Sequence, residues 1–255
     1  MSEYVQSRRD GHVLVVRLAR PQKKNALTVD MYAALADAVS GAESDRDVRA
    51  VVLFGSEGTF CAGNDIGDFL SRPPHDDDAP VVRYLRALAR STVPILAGVD
   101  GDAVGIGTTT LLHCDMVFVT ARARLRLPFV NLGLVPEAGS TLLLPRTIGY
   151  LRAAELIMLG DVFDGARAVE LGIASHVVPP ESLEADVMDV ATRIAEKPPS
   201  AMRETKRLLR GNTAELEARI MEEVRIFTGQ LSSPEAREAF TAFMEKRKPD
   251  FSKIA

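Results

Sequence analysis

Short apolar runs rich in β-branched residues recur through the first half of this chain, and stretches of helical periodicity separate them. Val13–Leu18 is one such run, ended by Pro21; residues 48–54, 94–99 and 116–120 are others. Each reads as a buried strand, and glycines at 55, 58 and 101–107 close two of them. Between them, Thr28 is placed to cap a helix that repeats apolar residues at Met31, Leu35 and Val39 and stops at Gly41, and residues 81–90 are again amphipathic. Alternation of this kind predicts α/β architecture. Strands become sparse after Val178. Residues 181–196 read as helix, Lys197, Pro198 and Pro199 break it, and the remainder is helical and highly charged. The predicted division is a core over residues 1–196 and a C-terminal helical region over 197–255. Phe240, Phe243 and Met244 stand there at helical spacing. They read as a core-facing stripe, with a subunit interface as the alternative.

The chain has 255 residues and a hydrophobic fraction of 46%, enough to bury a sizeable core. A formal net charge of -4 gives no general basic field for nucleic acid, so an anionic ligand needs a local site. Cys61 and Cys114 lack C-x-x-C spacing, which argues against a disulfide scaffold and a zinc site and fits a reducing compartment. Residues 1–11 are polar, unlike a secretory signal, and no apolar run approaches the roughly 20 residues that span a bilayer. A cytoplasmic protein with no membrane span is expected. His75 beside Asp76, Asp77 and Asp78, among Pro73, Pro74 and Pro80, reads as a solvated loop and not as a metal site.

Three segments carry the chemistry. Phe60, Cys61, Ala62, Gly63, Asn64, Asp65 and Ile66 follow the second run, and Asp100 to Gly107 follow the third. The last extends from Phe129 through Asn131, Gly133, Leu134, Pro136 and Glu137 to Ser140. Glycines after two separate strands let backbone approach a ligand closely. If a helix begins near Gly107, its first N–H groups lack internal partners and favour an anion, although Thr108, Thr109 and Thr110 open a helix poorly. Two such N–H groups from different loops gripping one oxygen would form an oxyanion hole, each donor contributing about 2.7–4 kcal/mol in the transition state.

In order and spacing these segments resemble the crotonase (enoyl-CoA hydratase/isomerase) family. The likeness runs from Arg20 and Pro21 through Asn25, Ala26 and Leu27 to the Lys248, Pro249, Asp250, Phe251 ending. It implies a spiral of ββα units followed by helices, assembled as a homotrimer or a dimer of trimers, and an acyl-CoA substrate. The implied oxyanion donors are the backbone N–H groups of Asn64 and Ile106. Lys24, Ala26 and Leu27 would lie along the CoA path, and Ala62 and Ile66 would border the adenine. Gly63, Asp65, Gly105 and Phe129 complete the implied substrate site. Asp65 also reads as a turn residue that holds its loop by hydrogen bonds. Where the family usually has a third glycine in the second loop, this chain has Ile106, which keeps the donor and narrows the space beside it.

Enoyl-CoA hydratases of this family carry two glutamates, and the matching positions here are Thr109 and Phe129, neither of which titrates. Glu137 remains, at the place where the peroxisomal-type Δ3,Δ2-enoyl-CoA isomerases have a single glutamate after a proline. The resemblance therefore implies a C3-to-C2 double-bond shift by one glutamate, with Phe129, Val130 and Leu134 as an apolar wall that raises its proton affinity. Taken alone, a glutamate after a proline is also what a helix dipole favours. Rival readings are an enoyl-CoA hydratase or other CoA lyase of the family, should Asp65 or Glu57 reach the α-carbon, and a non-catalytic acyl-CoA binder. A dinucleotide-binding oxidoreductase fits poorly, since Gly101, Gly105 and Gly107 do not make G-x-G-x-x-G. A serine hydrolase lacks G-x-S-x-G. His113 and Cys114 read as packing residues. No metal or redox cofactor is implied, because CoA is part of the substrate.

Overall fold

The computed structural model describes residues 2–72 and 78–254. After an opening pair of large-sheet strands and a helix, its first half repeats one unit. A strand of a large sheet leads to a short strand of a small sheet, then to helix. The chain opens with β1 (Val5–Asp10), β2 (Val13–Leu18) and α1 (Val29–Ser44). Next come β3 (Ala50–Phe54), β4 (Thr59–Cys61), α2 (Ile66–Ser71) and α3 (Pro80–Arg90). The following turn is β5 (Ile95–Val99), β6 (Asp102–Val104) and the one-turn α4 (Ile106–Thr109), continued as a 3-10 turn at Thr110–His113. Then come β7 (Met116–Thr120), β8 (Arg124–Arg126), α5 (Ser140–Ile148), α6 (Tyr150–Leu159), β9 (Phe163–Asp164), α7 (Gly165–Leu171) and β10 (His176–Val178). The chain closes with α8 (Leu183–Ala195), α9 (Pro199–Arg210), α10 (Thr213–Gln230) and α11 (Pro234–Met244).

The large sheet has the order β1-β2-β3-β5-β7-β10 and the small one β4-β6-β8-β9. Pairing is parallel except at β1/β2 and β8/β9. Side chains alternate across each strand. Val51, Leu53 and Ile95 therefore join the core under α1 and α3, while Val52, Phe54 and Leu96 face Leu183, Val187 and Ala191 of α8. Burial on both faces explains why these strands read as unbroken apolar runs. Thr28 caps α1 as expected, accepting from the Met31 N–H, but the helix continues past Gly41 to Ser44 because Ala36, Val39 and Ala42 keep one buried face.

The C-terminal helices are joined to this core. Leu216, Ile220 and Phe227 of α10, with Ala236 and Phe240 of α11, belong to the main cluster. The stripe at the end divides. Phe240 is buried, whereas Phe243 and Met244 are 64% and 69% exposed, so the core-facing reading holds for the first alone. His75, Asp76 and Asp77 lie outside the described residues.

Glycine at 107 lets successive turns of the spiral touch. A Cβ built there would lie 2.5 Å from the Cys61 carbonyl oxygen and 2.9 Å from the Cys61 Cβ. Gly107→Ala is expected to destabilise the fold by about 1–3 kcal/mol, the usual range for overpacking, read as a lower urea midpoint at unchanged slope. An unchanged midpoint would show that α4 does not sit against β4 as described.

Candidate active site

The spiral brings the loop after β4 against the start of α4. A Cβ on Gly63 would stand 3.3 Å from the Val104 carbonyl oxygen. Leu27 bridges to this loop, its N–H donating to the Gly63 carbonyl and its carbonyl accepting from Asp65 N–H. Those bonds use the groups on either side of the Asn64 amide. At α4 the amides of Thr108 and Thr109 donate to the Gly105 carbonyl, as the first turn of a helix requires. Among the described residues neither the Asn64 nor the Ile106 N–H has an acceptor, and both residues line one cavity of about 290 Å³.

That cavity gathers most of the residues expected from the sequence: Ala62, Gly63, Asn64, Ile66, Gly105, Ile106 and Phe129. Others stand apart from its lining. Lys24 is exposed, with Nζ 3.3 Å from Asp102 Oδ2. Ala26 offers its carbonyl to Arg20, and Leu27 is buried in the core. Asp65 holds the loop, as its turn reading implies. It pairs with Arg20 at 2.8 Å and caps α2 by accepting from the Asp68 N–H. Glu57, the other candidate second carboxylate, is exposed on a turn.

Glu137 is 6% exposed and lies in a smaller, adjoining cavity with Asn64, Phe69, Val81, Leu85, Val224, Phe227 and Thr228. Asn64, Phe69 and Phe227 line both cavities. Phe69 and Phe227 meet edge to face with centroids 5.9 Å apart. The apolar wall around the carboxylate thus comes from α2, α3 and α10. Val130, expected in that wall, is 47% exposed, because its 3-10 turn carries it to the surface; Phe129 and Leu134 are buried but face the larger cavity. Nor does the helix dipole account for Glu137. The residue precedes α5 in a turn where Ala138 and Gly139 both have positive φ, and a dipole-favoured carboxylate would sit at the surface with a lowered pKa.

Burial pushes the Glu137 carboxyl up to about 8, the Thr109 hydroxyl opposes the rise, and the nearby Glu223 adds to it. Thr109 Oγ1 donates to Glu137 Oε1 at 2.5 Å. The position read in the sequence as a missing glutamate is therefore the hydrogen-bond partner of the one that remains. Tyr32, wholly buried on α1, donates its hydroxyl to Asn64 Oδ1 at 2.5 Å and fixes that side chain between the two cavities. Burial, with the charge of Glu137 next, keeps the Tyr32 phenol well above its ordinary value, so it remains neutral. Cys61 is pushed up to about 12 by burial and stays a thiol, which excludes it as a nucleophile.

His113 does more than pack. Its Nε2 lies 2.7 Å from the Ala138 carbonyl oxygen, and burial depresses its pKa to about 3. A neutral ring donating from Nε2 therefore holds the turn beside Glu137. None of these partners was readable from spacing. Thr109 alone carried a signal, since it and Glu137 both occupy positions where the resembling family places carboxylates.

The family model for enoyl-CoA hydratase/isomerase matches residues 8–253. The 1,2-epoxyphenylacetyl-CoA isomerase of Escherichia coli is 31% identical, over 99% of this chain and 99% of its own. The 2,3-dehydroadipyl-CoA hydratase of the same organism is 30% identical over 98% and 99%. The crystal structure of an enoyl-CoA hydratase/isomerase from Pseudoalteromonas atlantica superposes with a TM-score of 0.94 at 39% identity, over 98% of this chain and all of that one.

The raised Glu137 carboxyl has a consequence for stability. Its folded value is above the ordinary 4.5, so between about pH 5 and 8 the folded chain keeps a proton that the unfolded chain has released. Stability contributed by this group is present at low pH and is lost as pH rises through that window. Glu137→Gln removes the dependence. The variant is expected to melt several degrees above its parent at pH 8, with a smaller difference at pH 5, in paired thermal scans; an equal difference at both would contradict a buried, raised carboxyl.

Proposed function

This chain belongs to the enoyl-CoA hydratase/isomerase family, and we propose that within it the chain shifts a double bond from C3 to C2 of an enoyl-CoA through Glu137 alone. Glu137 removes a proton from C2 of the 3-enoyl thioester. The electrons move through C2–C1 onto the thioester oxygen and give a dienolate. Its oxygen accepts from the N–H groups of Asn64 and Ile106, which have no other acceptor among the described residues. Glu137 then returns the proton to C4, the double bond settles between C2 and C3, and the carboxylate is restored. Only a proton moves, so the reaction needs no metal or redox cofactor, and coenzyme A is part of the substrate.

The observation that carries this reading is the solitary carboxylate. Among the described residues, Glu137 is the one acid lining either cavity. Hydration calls for a group to activate water and a group to protonate C2. The two further acids considered for that task are occupied or remote, Asp65 with Arg20 and Glu57 in solvent. A base near its own pKa suits proton transfer in both directions. Among the described residues no helix is long and apolar enough to cross a membrane, and a cytoplasmic location is part of the proposal. So is assembly as a homotrimer or a dimer of trimers, supported by the exposed Tyr150, Leu151, Met158 and Leu159 on α6, an apolar face that a second copy would cover. Nothing in the site calls for nucleic acid.

Glu137→Gln is expected to lower the conversion of 3-hexenoyl-CoA to 2-hexenoyl-CoA by about 10²–10⁴-fold, the span typical of general-base catalysis, while binding of the CoA ester persists. Unchanged turnover would refute the assignment, and efficient hydration of crotonyl-CoA by the parent would favour the hydratase reading that the relatives' names also allow. Thr109→Val removes a donor that stabilises the ionised carboxyl. The acid limb of the kcat–pH profile is then expected to move upward, with the largest loss of rate below pH 8; an unmoved limb would mean that Thr109 does not bear on the base.

A further inference from the structure

The turn that carries Glu137 is gripped from outside its own segment. Glu223 of α10 is 3% exposed, and its carboxylate accepts from the Gly139 N–H at 2.6 Å, the Thr141 N–H at 3.0 Å and the Thr141 hydroxyl at 2.5 Å. Helix α5 has no side-chain cap at its own N-cap position, Gly139. Glu223 supplies the cap from another helix, 84 residues away in sequence. Two turns further along α10, Gln230 Oε1 accepts from the Val135 N–H at 2.7 Å. The amides on both sides of Glu137 are therefore held by one helix.

Backbone geometry shows why a hold is needed. Ala138 and Gly139 are consecutive residues with φ of 63° and 68°. The first is a conformation that a side-chain-bearing residue rarely adopts without support. Helix α10 also presses closely on the turn, since a Cβ on Gly139 would stand 2.4 Å from Leu216 Cδ1. His113 closes the other side through the Ala138 carbonyl.

We propose that Glu223 is a positioning residue that, as a cap reaching in from α10, holds the 137–141 turn so that the Glu137 carboxylate stays in its cavity against Thr109. For catalysis this rests on Glu137 being the base. The C-terminal helices then complete the site of their own chain. The groups facing Glu223 are Thr141 and the Gly139 amide from the turn, Arg219 on its own helix, whose Nη1 donates to Thr141 Oγ1 at 3.1 Å, and Glu137. Burial raises the Glu223 carboxyl to about 7, against the pull of the Thr141 and Gly139 donors and of Arg219. Thr141, the Gly139 amide and Arg219 favour its anion, whose charge also adds to the proton affinity of Glu137.

The test compares Glu223→Gln and Glu223→Ala in the full chain with Glu137→Gln as control. Glutamine keeps one acceptor and loses the charge, which guards against a variant that merely fails to fold. With 3-hexenoyl-CoA, kcat is expected to fall by on the order of 10–10²-fold, the scale of an ångström-sized misplacement, while KM changes less than about twofold. In the Glu137→Gln background the same substitutions should add no further loss. The Glu137 carboxyl, followed by carbon-13 NMR titration, should titrate lower, because its burial and its anionic neighbour, the two causes that raise it, are both reduced. A folded Glu223→Gln protein with unaltered kcat and an unaltered Glu137 titration would overturn the proposal. If Glu137→Gln keeps full turnover while the Glu223 variants still lower that titration, the base assignment fails and the positioning role stands.

Discussion

A carboxyl group sealed among Phe69, Val81, Leu85, Val224 and Phe227 is the constraint around which the site is built. An ionised carboxylate in such surroundings is costly, and the group answers by holding its proton until about pH 8. One hydroxyl, from Thr109, offsets part of that cost. The balance is what a reversible proton carrier needs. A surface glutamate would be too weak a base, and one with several donors would be weaker still. The same walls leave a cavity of about 20 Å³ beside the carboxyl, room for little more than one water molecule.

The spiral explains how the cavity that holds the Glu137 carboxylate comes to adjoin the one lined by Asn64 and Ile106. Each turn contributes a loop at the same edge: Asn64 after β4, Ile106 at the start of α4, and Glu137 after the 3-10 turn that follows β8. Parallel pairing of β4, β6 and β8 stacks these loops, and close contacts at Gly63 and Gly107 remove the slack between them. The position of Glu137 needs more, because its turn carries two residues of positive φ. Helix α10 supplies both that support and, with Phe227 and Val224, a wall of the same cavity.

Local patterns made much of this legible. Buried strands announced themselves as apolar runs because both faces of the large sheet are covered. Thr28 and Asp65 were readable as capping or turn residues because their partners are three residues away. Glycines placed the loops, and a resemblance assigned Glu137, Asn64 and Ile106. What could not be read were contacts across long sequence separations. Nothing local indicates that Phe227 meets Phe69, that Tyr32 holds Asn64, or that Glu223 caps α5. Val130 misled for a related reason. Its hydrophobicity suggested the wall, but a 3-10 turn, decided by packing and not by propensity, aims it outward. His113 was read as filler because a buried histidine shows its hydrogen bond only once Ala138 has been placed beside it.

The central claim is that one shielded carboxylate both removes and returns the same proton. It is tested most directly with 3-hexenoyl-CoA deuterated at both C2 positions, turned over in ordinary water and examined by mass spectrometry and NMR after a small fraction of conversion. A substantial share of the product should carry deuterium at C4, transferred within the site. Product whose C4 hydrogen comes wholly from solvent would contradict the account, since it would require a water-exposed base or a second proton donor.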